Sequence, residues 1–138
     1  MAASIPLATI QTAVTALQDS RTKMQAFLLS NPGSSLYAQV ENLDTQASKA
    51  IAALNGQALK VIGGEAAGAL TELKKISDAS KLFIKSINDI KNGLKVIASF
   101  LVLAGAVVMG DPSGILSAAK GVKEAIDNAN ADAAPENS

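Results

Sequence analysis

The chain has 138 residues, of which 49% are hydrophobic and only 3% aromatic, and its formal net charge is +0. This length accommodates one domain with a hydrophobic core, and the balanced charge argues against nucleic acid as a partner. The sequence contains no Cys and no His, so it lacks a disulfide framework and the usual ligands of zinc. We therefore expect no metal and no cofactor.

Two helices are predicted before residue 63. The first spans residues 5–29 and is stopped by the Asn31–Gly33 segment, and the second spans residues 35–62 and is stopped by Gly63–Gly64. In both, apolar residues follow one another at steps of three and four, which is the spacing of a coiled-coil seam. The abundance of alanine, the strongest helix former, supports the same assignment.

The third predicted helix is unusually long. Seam residues, all apolar except Ser80, keep the three-four spacing from Ala66 to Val108 without interruption. Asn92-Gly93 resembles a helix stop, but a reversal of the chain there would leave about two residues for the turn, at the short end of helix–helix connections. We therefore predict one helix over residues 65–109, continuous or kinked near Gly93.

A strong turn at Gly110–Gly114 follows, and after it a fourth helix is predicted over residues 113–130. Residues 131–138 are predicted to be a disordered tail. The sequence thus predicts an all-α fold: a single helical domain over residues 1–130, built as a four-helix bundle of long helices with coiled-coil-like seams.

The segment Val96–Gly110 carries no charge, and Ser99 is its one polar side chain. A helix that is apolar on every side must be covered on every side. The third helix would be about 70 Å long, too long for helices one and two to flank, so residues 94–119 would project as an apolar hairpin with helix four. Three coverings remain open: the core of its own bundle, a protein partner (further copies of the chain included) or a lipid bilayer. In a bilayer, Lys91 and Lys95 would contact lipid headgroups.

Contact residues for a partner or a membrane are predicted within this hairpin. Gly105 is the expected point of closest approach between helices, because it has no side chain. The tip of the hairpin is predicted at Gly110, Asp111 and Pro112, where the turn residues cluster. The predicted contact residues are Phe100, Leu101, Leu103, Gly105, Val107 and Val108.

An apolar helical hairpin on a body of long helices, over Glu65–Asn130, resembles the membrane-inserting element of α-helical pore-forming toxins. The likeness is architectural and includes no diagnostic motif. We predict a non-enzymatic helical interaction protein whose hairpin drives oligomerisation or conditional membrane insertion, similar in outline to those toxins. The alternative is a soluble structural or scaffolding bundle in which the apolar segment is core.

Residues that could carry catalysis are sparse. Without His or Cys, Ser77 and Lys81 at i, i+4 are the remaining nucleophile and base, and such pairs are common on charged helix faces. Arg21 is the charged residue on a seam; we expect it to reach solvent along its aliphatic stem or, alternatively, to pair with Glu41 or Asp44. We therefore predict no enzymatic activity and no small-molecule substrate.

The N-terminal MAASIPLATIQ lacks a basic region and an unbroken apolar stretch. We expect no secretory signal there, and either a cytoplasmic location or export by a signal-less route. The lysines of residues 74–95 are interrupted by acids and have few aromatic neighbours, unlike a nucleic-acid surface. Self-association or a protein partner is expected, with a membrane as the further option.

Overall fold

The structure is a computed structural model that describes residues 2–55, 59–63 and 65–133. Within these ranges the chain forms five packed helices and one two-stranded antiparallel sheet, and the prediction of a helical fold is confirmed. In chain order the elements are β1 (Ala2–Ser4), α1 (Leu7–Ser30), α2 (Tyr37–Asn55), β2 (Lys60–Ile62), α3 (Ala66–Lys85), α4 (Ile90–Met109) and α5 (Pro112–Ala133).

The five helices pack as a ring in the order α2, α1, α3, α5 and α4, and α4 returns to α2. Consecutive helices reverse direction, so α1, α3 and α5 run one way while α2 and α4 run the other. Helix α4 also reaches α1 and α3 across the ring, which places its inward side within the core. Its contact with α2 is the thinnest in the ring, and a groove opens there.

The core lies along the inside of the ring and follows the three-four spacing seen in the sequence. Burial of one large aliphatic or aromatic side chain contributes roughly 1.5–3 kcal/mol, so these regularly spaced positions hold the helices together. All five helices contribute buried apolar residues, and the largest fully buried side chains include Leu17, Met24, Val40, Leu54, Leu73, Ile84, Ile97, Phe100, Leu103 and Ile115.

The helix predicted over residues 5–29 corresponds to α1, Leu7–Ser30. The helix predicted over residues 113–130 lies within α5, which begins one residue earlier at Pro112. Helix α5 extends to Ala133, into the predicted tail, and the rest of that tail, residues 134–138, lies outside the described residues.

The helix predicted over residues 35–62 is shorter in the structure, because α2 ends at Asn55. Lys60–Ile62 forms β2 instead, pairs antiparallel with β1 and buries Val61 between two exposed neighbours. The sequence holds one signal for this change, since Asn55-Gly56 is a helix stop. The alternation of β2 is in burial, because Ile62 is apolar and yet exposed. Buried Leu54 and Val61 are seven residues apart, so they fit a helical seam although the chain leaves the helix between them.

The long helix predicted over residues 65–109 is two helices, α3 and α4, and the chain reverses between them. The reversal lies at Ser86–Asp89 rather than near Gly93. The apolar rhythm passes through it because both helices return to the same core, so that Ile87 before α4 and Ile90 at its start are both buried. Self-burial of an apolar helix is the physical reason for the reversal.

Two polar contacts hold this reversal in place. Asp89 caps α4, since its carboxylate accepts a hydrogen bond from the N–H of Lys91 at 3.1 Å. The ammonium group of Lys23, on α1, donates a hydrogen bond of 2.6 Å to the carbonyl oxygen of Ile87. The second contact ties the corner between α3 and α4 to a helix more than sixty residues earlier in the chain.

Gly93 lies within the first turns of α4 and does not end a helix. Its lack of a side chain allows close packing there. A Cβ atom at this position would lie 3.0 Å from Cγ1 of Ile87 and closer still to its Cδ1. The missing side chain therefore lets buried Ile87 fold over the start of α4. The glycine that the sequence suggested as a kink instead packs against the reversal that precedes it.

Gly93→Ala is expected to lower the free energy of unfolding by about 1 kcal/mol, because displacing Ile87 costs more than the roughly 1 kcal/mol that alanine gains over glycine in a helix. Urea unfolding followed by circular dichroism measures the change. Gly121→Ala is the matched control. Apart from the neighbouring backbone of its own helix, no described atom lies within 4 Å of a Cβ built on this exposed α5 residue, so this change is expected to stabilise. Equal stabilisation by both changes would contradict the packing of Ile87 on Gly93.

Two polar positions differ from expectation. Arg21 does not extend into solvent; its Nε donates to a carboxylate oxygen of Asp44 at 2.9 Å and links α1 to α2, as in the alternative. Such a partly exposed pair contributes up to about 1 kcal/mol. Ser77 is fully buried together with Ser80, and neither hydroxyl has a hydrogen-bond partner among the described residues.

Candidate interaction face on helix α4

Helix α4 differs from the other described helices in composition. Its charged residues, Lys91 and Lys95, both lie near its start, and the remainder is uncharged. Of the helices that the structure describes, it is the one long and apolar enough to cross a membrane, with a mean hydropathy of 1.9. Core helices of soluble proteins share this property, and half of the apolar window of α4 is buried in the bundle. The other half lies at the surface.

Three of the predicted contact residues point into the core. Phe100, Leu103 and Val107 are exposed by only 1%, 1% and 3%. Together with Leu54 and Leu73 they line a small internal cavity of about 10 Å³. In this structure the protein's own helices cover these three side chains, so a partner cannot reach them while the bundle is closed.

The other three predicted contact residues lie at the surface, along the groove between α4 and α2. Leu101 and Val108 are half-buried and Gly105 is exposed. Apart from the neighbouring backbone of its own helix, no described atom lies within 4 Å of a Cβ built on Gly105. Small residues on both walls leave the groove wide enough for further side chains. The groove, of about 290 Å³, is lined by Gln46, Lys49, Ala50, Ala53, Leu101, Ala104, Gly105 and Val108.

Sequence reasoning missed Val102 and Met109, the two large apolar side chains that α4 presents to solvent. One line along the outside of α4, here named the outer stripe, holds Ala98, Val102, Gly105 and Met109. Val102 and Met109 are exposed by 66% and 81%, whereas Ala98 is half-buried and also packs against the core. The steps of four, three and four residues along the outer stripe are those of one helical face. The spacing of this face is visible in the sequence. However, α4 has an apolar face on each side, and without a polar face the sequence does not indicate which of the two is buried.

Opposite charges bound the outer stripe. Lys91 and Lys95 are exposed at the start of α4, beside a shallow groove shared with α5. At the other end, exposed Asp111 follows the last turn, and its carboxylate accepts a hydrogen bond of 3.2 Å from the N–H of Ser113. The carbonyl groups that end α4 add negative potential beside Asp111. The stripe is therefore apolar along its length, cationic at one end and anionic at the other.

The predicted hairpin tip is docked on the body of the protein and does not project. Gly110 is buried, adopts the left-handed conformation with φ of 72°, and ends α4 as its C-cap. Its carbonyl oxygen accepts a hydrogen bond of 3.0 Å from the N–H of Ile62 in β2. Pro112 lies against Gly63, where a Cβ would be 3.2 Å from the proline ring. The tip holds the helices to the sheet, and only Asp111 within it is exposed.

In the described part of the chain, no group of three or more His, Cys, Asp or Glu side chains is placed to hold a metal ion. Compared with models of protein families, with curated proteins and with solved structures, the chain has no match. The outer stripe of α4 carries two of the six large apolar side chains that are exposed among the described residues, and it is the surface from which we argue a function.

Proposed function

We propose that this chain is a non-enzymatic helical interaction protein that self-associates through the outer stripe of α4. The observation that carries the proposal is the exposure of Val102 and Met109 on a helix with no charge between Lys95 and Asp111. Single apolar residues are common on protein surfaces, but a contiguous apolar patch rimmed by polar residues marks an interaction site.

The shape of the surface favours a helix as the contacting element. Gly105 has no side chain and stands clear of other atoms, so the backbone of another helix can approach closely. The groove beside it, walled by Ala50 and Ala53, would receive side chains from that helix. An apolar helix laid on such a surface is a common mode of protein recognition.

Conditional membrane insertion is the second candidate, favoured by the apolar composition of α4. The uncharged part from Val96 to Met109 is about 21 Å long, shorter than the roughly 30 Å hydrocarbon core of a bilayer. Insertion would also withdraw Phe100, Leu103 and Val107 from the core, and each contributes roughly 1.5–3 kcal/mol there. The bundle would have to open first, so self-association of the closed bundle is the simpler proposal.

Val102→Lys is expected to abolish self-association, because it places an ammonium group in the centre of the apolar stripe. Sedimentation velocity over a range of concentrations measures this, with wild type rising from the 14.0 kDa monomer towards a dimer. Leu82→Lys is the matched control: Leu82 is 70% exposed on α3, so this variant gains the same charge and is expected to associate like wild type. A wild type that remains monomeric throughout, or equal loss in both variants, would contradict the proposal.

Co-sedimentation with vesicles of phosphatidylcholine and phosphatidylglycerol distinguishes the second candidate. A wild type that is monomeric alone and binds these vesicles would replace self-association with membrane insertion. A monomer that binds no vesicles would leave the scaffolding bundle as the function, with α4 as core.

A further inference from the structure

The spacing of residues in the outer stripe is the same in both directions along α4. Its members, Ala98, Val102, Gly105 and Met109, are separated by four, three and four residues. An antiparallel copy of the same helix therefore aligns with the stripe over its whole length, with the two-fold axis between Val102 and Gly105. A two-fold interface requires this kind of self-complementary surface.

We propose that the occupant of the outer stripe is a second copy of this chain, with the two α4 helices antiparallel; this inference rests on the proposed function. In this arrangement each large side chain meets a small residue. Val102 lies opposite Gly105 of the second copy, and Ala98 lies opposite Met109 of the second copy. Interdigitation of large and small residues gives the close packing that interfaces need.

The charges at the ends of the stripe select the same direction. Antiparallel pairing brings Lys95 beside Asp111 of the second copy and beside the carbonyl end of its α4, and symmetry repeats this favourable contact at the other end. Parallel pairing would place Lys91 and Lys95 against the same two lysines, and would set Met109 against Met109. Both its charges and its side-chain sizes are mismatched, so the antiparallel arrangement is favoured.

The stripe is narrow, and the dimer is correspondingly weak. From Lys95 to Asp111 it is about 24 Å long at 1.5 Å per residue. One helix face of this length buries less than the roughly 800 Å² per partner of a standard interface. The pairing is therefore a reversible association, of the size seen in transient complexes.

Cysteine cross-linking tests the direction directly, because the chain has no Cys of its own. The Ala98→Cys and Met109→Cys variants are prepared singly and then mixed under mild oxidation with copper phenanthroline. The mixture is expected to form disulfide-linked dimers that join position 98 to position 109, about tenfold faster than a mixture of Ala98→Cys with Leu82→Cys, because the interface raises the effective concentration of the two thiols. Leu82 is exposed on α3 and reports random collisions.

Each single variant alone is expected to cross-link only at the collisional rate. In an antiparallel pair, two copies of position 98 are about 16 Å apart along the axis, beyond the roughly 7 Å that a disulfide allows between Cα atoms. Rapid cross-linking of Ala98→Cys with itself would show parallel pairing and overturn this inference, while self-association would stand. Collisional rates throughout, in a protein that still dimerises in sedimentation, would overturn it as well. A monomeric wild type would instead refute the proposed function.

Discussion

Phe100→Ala is expected to lower the free energy of unfolding by about 3–5 kcal/mol, the range for a large aromatic side chain removed from a core. Phe100 is exposed by 1% and lies on the inward side of α4, beside Leu54 and Leu73. The structure already has a small cavity there, and loss of the ring would enlarge it in a place that the ring of helices cannot easily close. Urea denaturation followed by circular dichroism gives the change.

Val102→Ala is the matched control for Phe100→Ala. Val102 is on the same helix, two residues further on, and is 66% exposed, so its truncation is expected to change stability by less than about 0.5 kcal/mol. Both variants are measured at a concentration at which wild type is monomeric, so that association makes no contribution. If Phe100→Ala were as mild as Val102→Ala, the inward side of α4 would not be the core of the protein, and the folded arrangement of α4 would be refuted.

Gly110→Ala is expected to lower the free energy of unfolding by about 2–4 kcal/mol. Two independent costs contribute. A left-handed conformation costs an L-residue about 1–2 kcal/mol, and φ at Gly110 is 72°. A Cβ atom would also fall far inside contact distance of the carbonyl oxygen of Lys60, and because this obstacle is backbone, it cannot rotate away. Relief would require β2 to separate from α4, at the expense of the hydrogen bond from Ile62 to Gly110. Thermal and urea unfolding both measure this loss.

Gly110→Asn separates the two costs. Asparagine tolerates the left-handed conformation better than alanine, but its Cβ meets the same carbonyl oxygen of Lys60. We expect Gly110→Asn to recover only part of the loss, because the steric conflict remains. A near-neutral result for both variants would mean that Gly110 is not docked on β2, and that the turn between α4 and α5 is free, as the sequence alone suggested.

Much of the fold follows from apolar spacing, because that spacing reports which side of a helix is buried. It predicts the helical class, and buried residues such as Leu17 and Met24 on α1 lie at its three-four spacing. It does not report whether a helix is continuous. Ile87 and Ile90 are three residues apart, as in a helix, yet they lie on either side of the start of α4 and both face the core. Two successive helices that pack on the same core therefore have the same apolar spacing as one continuous helix.

The candidate site was harder to predict, because α4 lacks the polar face that usually identifies the solvent side of a helix. Phe100 and Val102 are equally apolar neighbours in the sequence, and only packing against α1, α3 and α5 makes one core and the other surface. Size gave no guide, since the largest residue was expected at the contact surface and is in the core. Gly105 was identified because a residue without a side chain permits close approach of another helix, whether it lies in the core or at the surface.

Both ends of α1 are tied to distant parts of the chain. Before it, Ala2 pairs with Ile62, and near its far end Lys23 reaches a carbonyl 64 residues away. Closing loops of this size costs conformational entropy that grows with the logarithm of their length. Packing of the helices must compensate this cost before either contact is stable. These two ties are long-range contacts, which slow folding, so this protein is expected to reach its native state more slowly than up-and-down bundles, whose contacts are mainly between sequential helices.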